Sequence, residues 1–152
     1  MSIHVDVRTE VNAPASTVWE ILDDFGNIAN YTGQVKTSDL KGEALTGVGA
    51  TRVCELAPFG ATNETIREYV PGEKMVIELY DLSGMPISGT MSTFAVKPLD
   101  GDRSELLFTS EVEPKGGVLK GFVGRRLQSR LPAGAKSMLD DLARAAEAKV
   151  AG

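Results

Sequence analysis

The chain has 152 residues, 42% of them hydrophobic and 24% charged, a balance that suits one soluble domain with its own core and excludes collagen-like, disordered and membrane-embedded classes. Its formal charge of -5 argues against nonspecific nucleic-acid binding, and a single cysteine beside a single histidine excludes an internal disulfide and a Cys/His zinc site. Residues 1–6 hold neither a basic nor an apolar leader region, and no run reaches the length of a membrane span; the expectation is one domain over 1–152 in the cytoplasm.

Residues 4–11 alternate, with Val5, Val7, Thr9 and Val11 on one side and His4, Asp6, Arg8 and Glu10 on the other, which predicts a half-buried strand with His4 in solvent. Asn12 and Ser16 offer capping oxygens and Pro14 suits a first turn, so a helix is predicted with Val18, Trp19, Ile21, Leu22 and Phe25 on its apolar face and Gly26 as its stop. A short helical turn is expected at 27–31 and a weak strand at 34–40. Further strands are predicted at 50–56, 62–70, 74–80, 87–96 and 104–112. Pro58-Phe59-Gly60, Pro71-Gly72, Ser83-Gly84 and Asp100-Gly101 separate them, turns too short for crossover helices, so neighbouring strands should run antiparallel.

The last third is a helix. Leu119, Val123, Leu127, Leu131, Ala135, Leu139 with Met138, Leu142, Ala146 and Val150 recur at steps of three and four. Pro132 removes a backbone donor from the middle, yet the stripe keeps its phase across it, which predicts one kinked helix over 116–150. This is the only element long enough to cover an antiparallel sheet with one apolar face, so the pattern is α+β. In strand 74–80 the odd set, Met75, Ile77 and Leu79, faces the helix. In strand 87–97 Ile87, Gly89, Met91, Thr93 and Ala95 compete with Ser88, Thr90, Ser92, Phe94 and Val96. Small residues of the odd set, turned inward, would leave a ligand cavity beneath the helix unless sheet twist lets neighbours fill the space.

Arg52 shares its parity with Cys54 and Leu56, and Glu64 falls opposite on the next strand. The two make either a structural ion pair or the polar end of an apolar pocket. Cys54 reads as a small hydrophobe, since no histidine is near it in the pattern, and no Ser-His-Asp set can be assembled. Gly116-Gly117 marks a strand-to-helix junction and not a phosphate loop, so no cofactor is expected. Lys115, Lys120, Arg125, Arg126, Arg130 and Lys136 form a basic run. It is either a solvated face or a contact for an anionic partner, a phospholipid surface or an acidic protein, at a pocket mouth flanked by Phe59 and Met85-Pro86.

Val18-Trp19-Glu20-Ile21-Leu22, Phe25, Asn27, Tyr31, Val35-Lys36, Gly49-Ala-Thr-Arg52, Glu64-Thr-Ile66, Pro71-Gly72 and Asp100-Gly101-Asp102-Arg103-Ser104, in this order, resemble the polyketide cyclase/dehydrase branch of the SRPBCC superfamily, the START-like, birch-pollen-allergen-like proteins. That resemblance implies a helix-grip fold: a seven-stranded antiparallel sheet curled around the C-terminal helix, with two short helices between strands 1 and 2. It also implies binding of lipids, sterols, polyketides, quinones or hormones, with a minority of members acting as enzymes. The spacing from Trp19 to Lys36 is also similar to that of plant abscisic-acid receptors, in which the lysine at this place anchors a ligand carboxylate. The reading is a binding or carrier protein for a hydrophobic or amphipathic molecule. Cys54, Leu56, Met75, Ile77, Leu79, Gly89, Met91, Leu119, Val123 and Leu127 would line the pocket, with Lys36, Arg52 and Glu64 as polar anchors. The alternatives are a polyketide cyclase or dehydratase using Glu64 or Arg52 for proton transfer, and an interaction module using the basic half of the helix.

Overall fold

A computed structural model describes residues 3–56, 60–82, 87–114 and 120–152, and of residues 114 and 120–129 the backbone alone. In chain order the elements are β1 (Ile3–Val11), α1 (Ala15–Asp23), a 3-10 turn (Phe25–Asn30), β2 (Val35–Lys41), β3 (Thr51–Leu56), β4 (Gly60–Val70), β5 (Lys74–Tyr80), β6 (Ile87–Pro98), β7 (Ser104–Pro114) and α2 (Lys120–Ala151). The strands form one seven-stranded antiparallel sheet in the order β1-β7-β6-β5-β4-β3-β2. Hairpins join β3 through β7, and α1 with the 3-10 turn carries the chain from one sheet edge, β1, to the other, β2. This is the expected helix-grip architecture.

The two faces of the sheet follow the period of two in the strands. Ile3, Val5 and Val11 of β1 and Met75 and Ile77 of β5 are buried, and His4 stands in solvent beside Glu111. In β6 the inward set is Thr90, Ser92, Phe94 and Val96, while Met91 is 42% exposed. The small odd-numbered residues therefore lie outside the core. Burial of Phe94, whose ring meets that of Phe108 at 5.0 Å, decides the parity. A register shift between Ile87 and Gly89 then lets Ile87 face inward as well.

Helix α1 is capped differently from the expectation. Pro14 holds the N-cap position in extended conformation with no side-chain cap, and its carbonyl accepts the N–H groups of Thr17 and Val18. Asn12 lies too far upstream to cap. Its backbone N–H donates instead to Glu147 Oε2 of α2, at 2.9 Å. Nor does Gly26 end α1, which stops at Asp23; it sits inside the 3-10 turn, where a Cβ would meet Leu40 Cγ at 2.6 Å. The glycine is required by the close approach of that turn to β2.

Helix α2 is a single helix with Pro132 inside it. It packs along β1 and also touches β7 and α1. Leu139, Leu142, Ala143 and Ala146 are buried in the main core with Trp19, Ile21, Leu22 and Phe25 from the N-terminal helical segment. Val150 is 53% exposed, so the apolar stripe loses contact one turn earlier than its spacing predicts. No described helix is long and apolar enough to cross a membrane. Leu139→Ala removes a fully buried side chain and should lower unfolding free energy by about 2–5 kcal/mol in a urea titration.

Candidate functional site

A cavity of about 200 Å³ lies between the sheet and the middle of α2, residues 130–138. Ile77 and Leu79 of β5, Phe94 of β6 and Phe108 of β7 form its floor, and Leu131, Ala135 and Met138 of α2 its roof. Val35, Gln34 and Arg130 stand at its side. That side is held to the helix by Asp141, whose Oδ2 accepts hydrogen bonds from Thr32 Oγ1 at 2.7 Å and from Gly33 N at 3.2 Å. Arg130 is exposed and lines the cavity.

Two polar sites interrupt the apolar wall. The β3–β4 register sets Arg52 opposite Glu64, both pointing inward and only 5% and 4% exposed. Arg52 Nε donates to Glu64 Oε1 at 2.8 Å, and Nη2 approaches the same oxygen at 2.7 Å. Nη1 donates to the Phe25 carbonyl at 2.8 Å, and the guanidinium lies 4.0 Å from the Phe25 ring centroid. A buried guanidinium has to be paired and hydrogen-bonded, and these contacts achieve both. The arrangement joins the 3-10 turn to the sheet and leaves the pair in the cavity wall, so it is a structural ion pair that also faces the site.

The second polar site consists of Thr90, Ser92 and Ser110, all buried and all lining the cavity. Thr90 Oγ1 and Ser110 Oγ are 2.7 Å apart, and Ser92 Oγ and Ser110 Oγ 3.0 Å. Sequence reasoning missed them, as it missed Phe94, because it gave the odd set of β6 the inward place. Phe94 and Val96 on the even set carried the signal that decides the matter.

The structure places Arg52, Leu56, Glu64, Ile77 and Leu79 around the cavity. Cys54 and Met75 are buried in the adjoining core and do not line the cavity. Gly89 and Met91 must be removed from the lining, because they share the outer parity of β6. Lys36 must be removed too. Val35 takes the inward position, a register shift follows it, and Lys36 projects into solvent, so it does not anchor a ligand in this cavity. Leu119, Phe59, Met85, Pro86, Gly116 and Gly117 lie outside the described residues, as do the side chains of Val123 and Leu127.

The Cys54 thiol is pushed up to about 12, first by burial and then by the negative charge of Glu64. It stays a neutral thiol in the folded protein, in keeping with a packing role and not with a nucleophile.

A curved antiparallel sheet closed over an apolar cavity by its C-terminal helix defines the helix-grip class. Residues 2–147 match the model of the family described as polyketide cyclase / dehydrase and lipid transport, and the chain belongs to that family. Among solved structures, the Zhui aromatase/cyclase from Streptomyces sp. R1128 superposes with a TM-score of 0.81 at 18% identity, over 99% of this chain and 96% of that one. A Thermobifida fusca protein gives 0.75 at 24% identity, over 94% and 92% of the two chains. A Thermus thermophilus protein gives 0.78 at 15%, over 96% and 98%. At these identities the likeness is one of fold. No curated protein matches the chain in sequence.

Two measurements probe this site. Arg52→Ala leaves a buried carboxylate unpaired and should cost about 3–5 kcal/mol, whereas the double variant Arg52→Met with Glu64→Leu should recover most of that loss in the same denaturant titration. The thiol can be read separately. A raised Cys54 value means that the folded state keeps a proton which the unfolded chain releases. The contribution to stability is therefore complete below about pH 9 and falls as the pH rises towards about 12. At pH 8 the thiol should react with a disulfide reagent only at the rate of unfolding.

Proposed function

We propose that the protein binds one small, mostly apolar molecule in the cavity under α2 and acts as a binding or carrier protein. The observation that carries this reading is the cavity of about 200 Å³, walled by aliphatic and aromatic side chains and broken by two polar sites, the arrangement small-molecule pockets show. An apolar cavity of about 150 Å³ is already enough to hold benzene, so the space suits a molecule of at least one ring or a short branched chain. Family membership supports a small hydrophobic ligand and leaves its identity open.

A second reading, an enzyme of the cyclase or dehydratase kind, is supported by the family description and by the aromatase/cyclase among the structural neighbours. Glu64 is the one carboxylate among the described lining residues and would be its general base. Two nitrogens of Arg52 already converge on its Oε1 atom. That commits the carboxylate to holding the guanidinium, and the binding reading is preferred for this reason.

Native mass spectrometry of the purified protein, followed by organic extraction, tests the proposal. A discrete noncovalent adduct is expected. It should vanish in Ala135→Phe, which fills the cavity from the roof, and survive in Met91→Trp, which adds bulk to the outer face. An adduct untouched by Ala135→Phe would place the ligand elsewhere. On the enzyme reading, Glu64→Gln would abolish turnover of a bound polyketone while the fold persists.

A further inference from the structure

The hydroxyl cluster on β6 and β7 has a property that a tally of polar atoms hides. Thr90 and Ser92 are same-face neighbours on β6, Ser110 pairs with Ser92 across the ladder, and Ser110 Oγ is the shared centre of both short contacts. Each hydroxyl carries one proton and two lone pairs. Two hydrogen bonds among three hydroxyls use two protons and leave one. The same count holds however the bonds are oriented, since a line of hydroxyls always has one more proton than it has links. Among the described residues no further hydrogen bond from these three side chains takes that proton to a carbonyl. All three side chains line the cavity, so the remaining O–H has the cavity as its outlet.

We propose that Thr90, Ser92 and Ser110 form a hydrogen-bond donor site for an uncharged oxygen acceptor, a ketone, quinone or ester carbonyl, on a molecule whose apolar body lies against Ile77, Phe94 and Phe108. The inference rests on the binding reading above and narrows it to a ligand class. An acceptor is required because a buried O–H without a partner forfeits a hydrogen bond, whereas a spare lone pair is tolerated more readily. A neutral acceptor is required because the cluster carries no charge. Of the two described cations that line the cavity, Arg52 lies three strands away on β3, about 14 Å at ordinary strand spacing, and is already paired with Glu64, while Arg130 stands exposed on α2 at the side of the cavity. A carboxylate at the cluster would be desolvated without a counter-charge.

The test compares two probes of nearly the same shape, acetophenone and isopropylbenzene, by isothermal titration against the full chain. The native protein should bind the ketone about 10-fold more tightly, the difference one buried hydrogen bond makes. Replacing every member at once, Thr90→Val with Ser92→Ala and Ser110→Ala, leaves no hydroxyl stranded, so the fold should hold in a thermal melt. In that variant the ketone should lose its advantage while isopropylbenzene binds as well or better. Thr90→Val alone should keep the preference, because the pair Ser92 and Ser110 still retains one proton. If the native protein binds both probes equally, or if the preference survives in the triple variant, the donor site is refuted while the cavity stands. If neither probe binds, the cavity reading itself falls and takes this inference with it.

Discussion

The contact on which the rest of the structure depends is the seat of the C-terminal half of α2. Leu139, Leu142, Ala143 and Ala146 are buried against β1 and the N-terminal helical segment, and two of the four are alanines, which lets the helix approach closely. A helix of 32 residues is about 48 Å long, and the sheet beneath it twists. Such a rod cannot touch a curved surface along its whole length. Leu131, Ala135 and Met138 are half-buried and line the cavity together with Ile77, Phe94 and Phe108. Gly134 and Ala135, which have little side chain to offer, leave space between this helix and the sheet.

Arg52 and Glu64 fix the other boundary. Removing two charges from water is costly, and a buried ion pair recovers that cost only with full hydrogen bonding. Here the guanidinium, carried on β3, joins two other parts of the fold: Glu64 on β4, and Phe25 in the 3-10 turn through both its carbonyl and its ring. Its contribution is to hold the turn that spans the two edges of the sheet, more than to add net stability. The cavity inherits a rigid charged wall at one side and, across β4 and β5, a neutral hydroxyl wall. A ligand lying between them meets two different chemistries.

Much of this was legible in the sequence. The alternation of β1, the odd set of β5 and the three-and-four spacing of α2 report burial directly, because each element has one apolar side. The opposition of Arg52 and Glu64 followed from parity across a short hairpin. Other features depend on events that periodicity does not encode. β6 has small and polar residues on both faces, so its parity is set by the partner of Phe94 on β7, a contact 14 residues away in sequence. Lys36 was misplaced because the edge strand β2 shifts register after Val35, moving the side chain from an expected anchor into solvent. Asn12 has the chemistry of a cap but not the position, and the carboxylate that takes its N–H comes from Glu147, at the far end of the chain. The hydroxyl cluster was invisible for the same reason as the parity of β6: serines and threonines declare themselves buried only when their neighbours do.

Diffraction from a crystal pressurised with xenon asks directly whether open space exists under residues 130–138 of α2. Xenon occupies apolar cavities without needing a specific hydrogen bond. A xenon site in van der Waals contact with Ile77, Phe108 and Met138 is expected. Absence of xenon there, with side chains of the helix packed onto the sheet floor instead, would contradict the cavity.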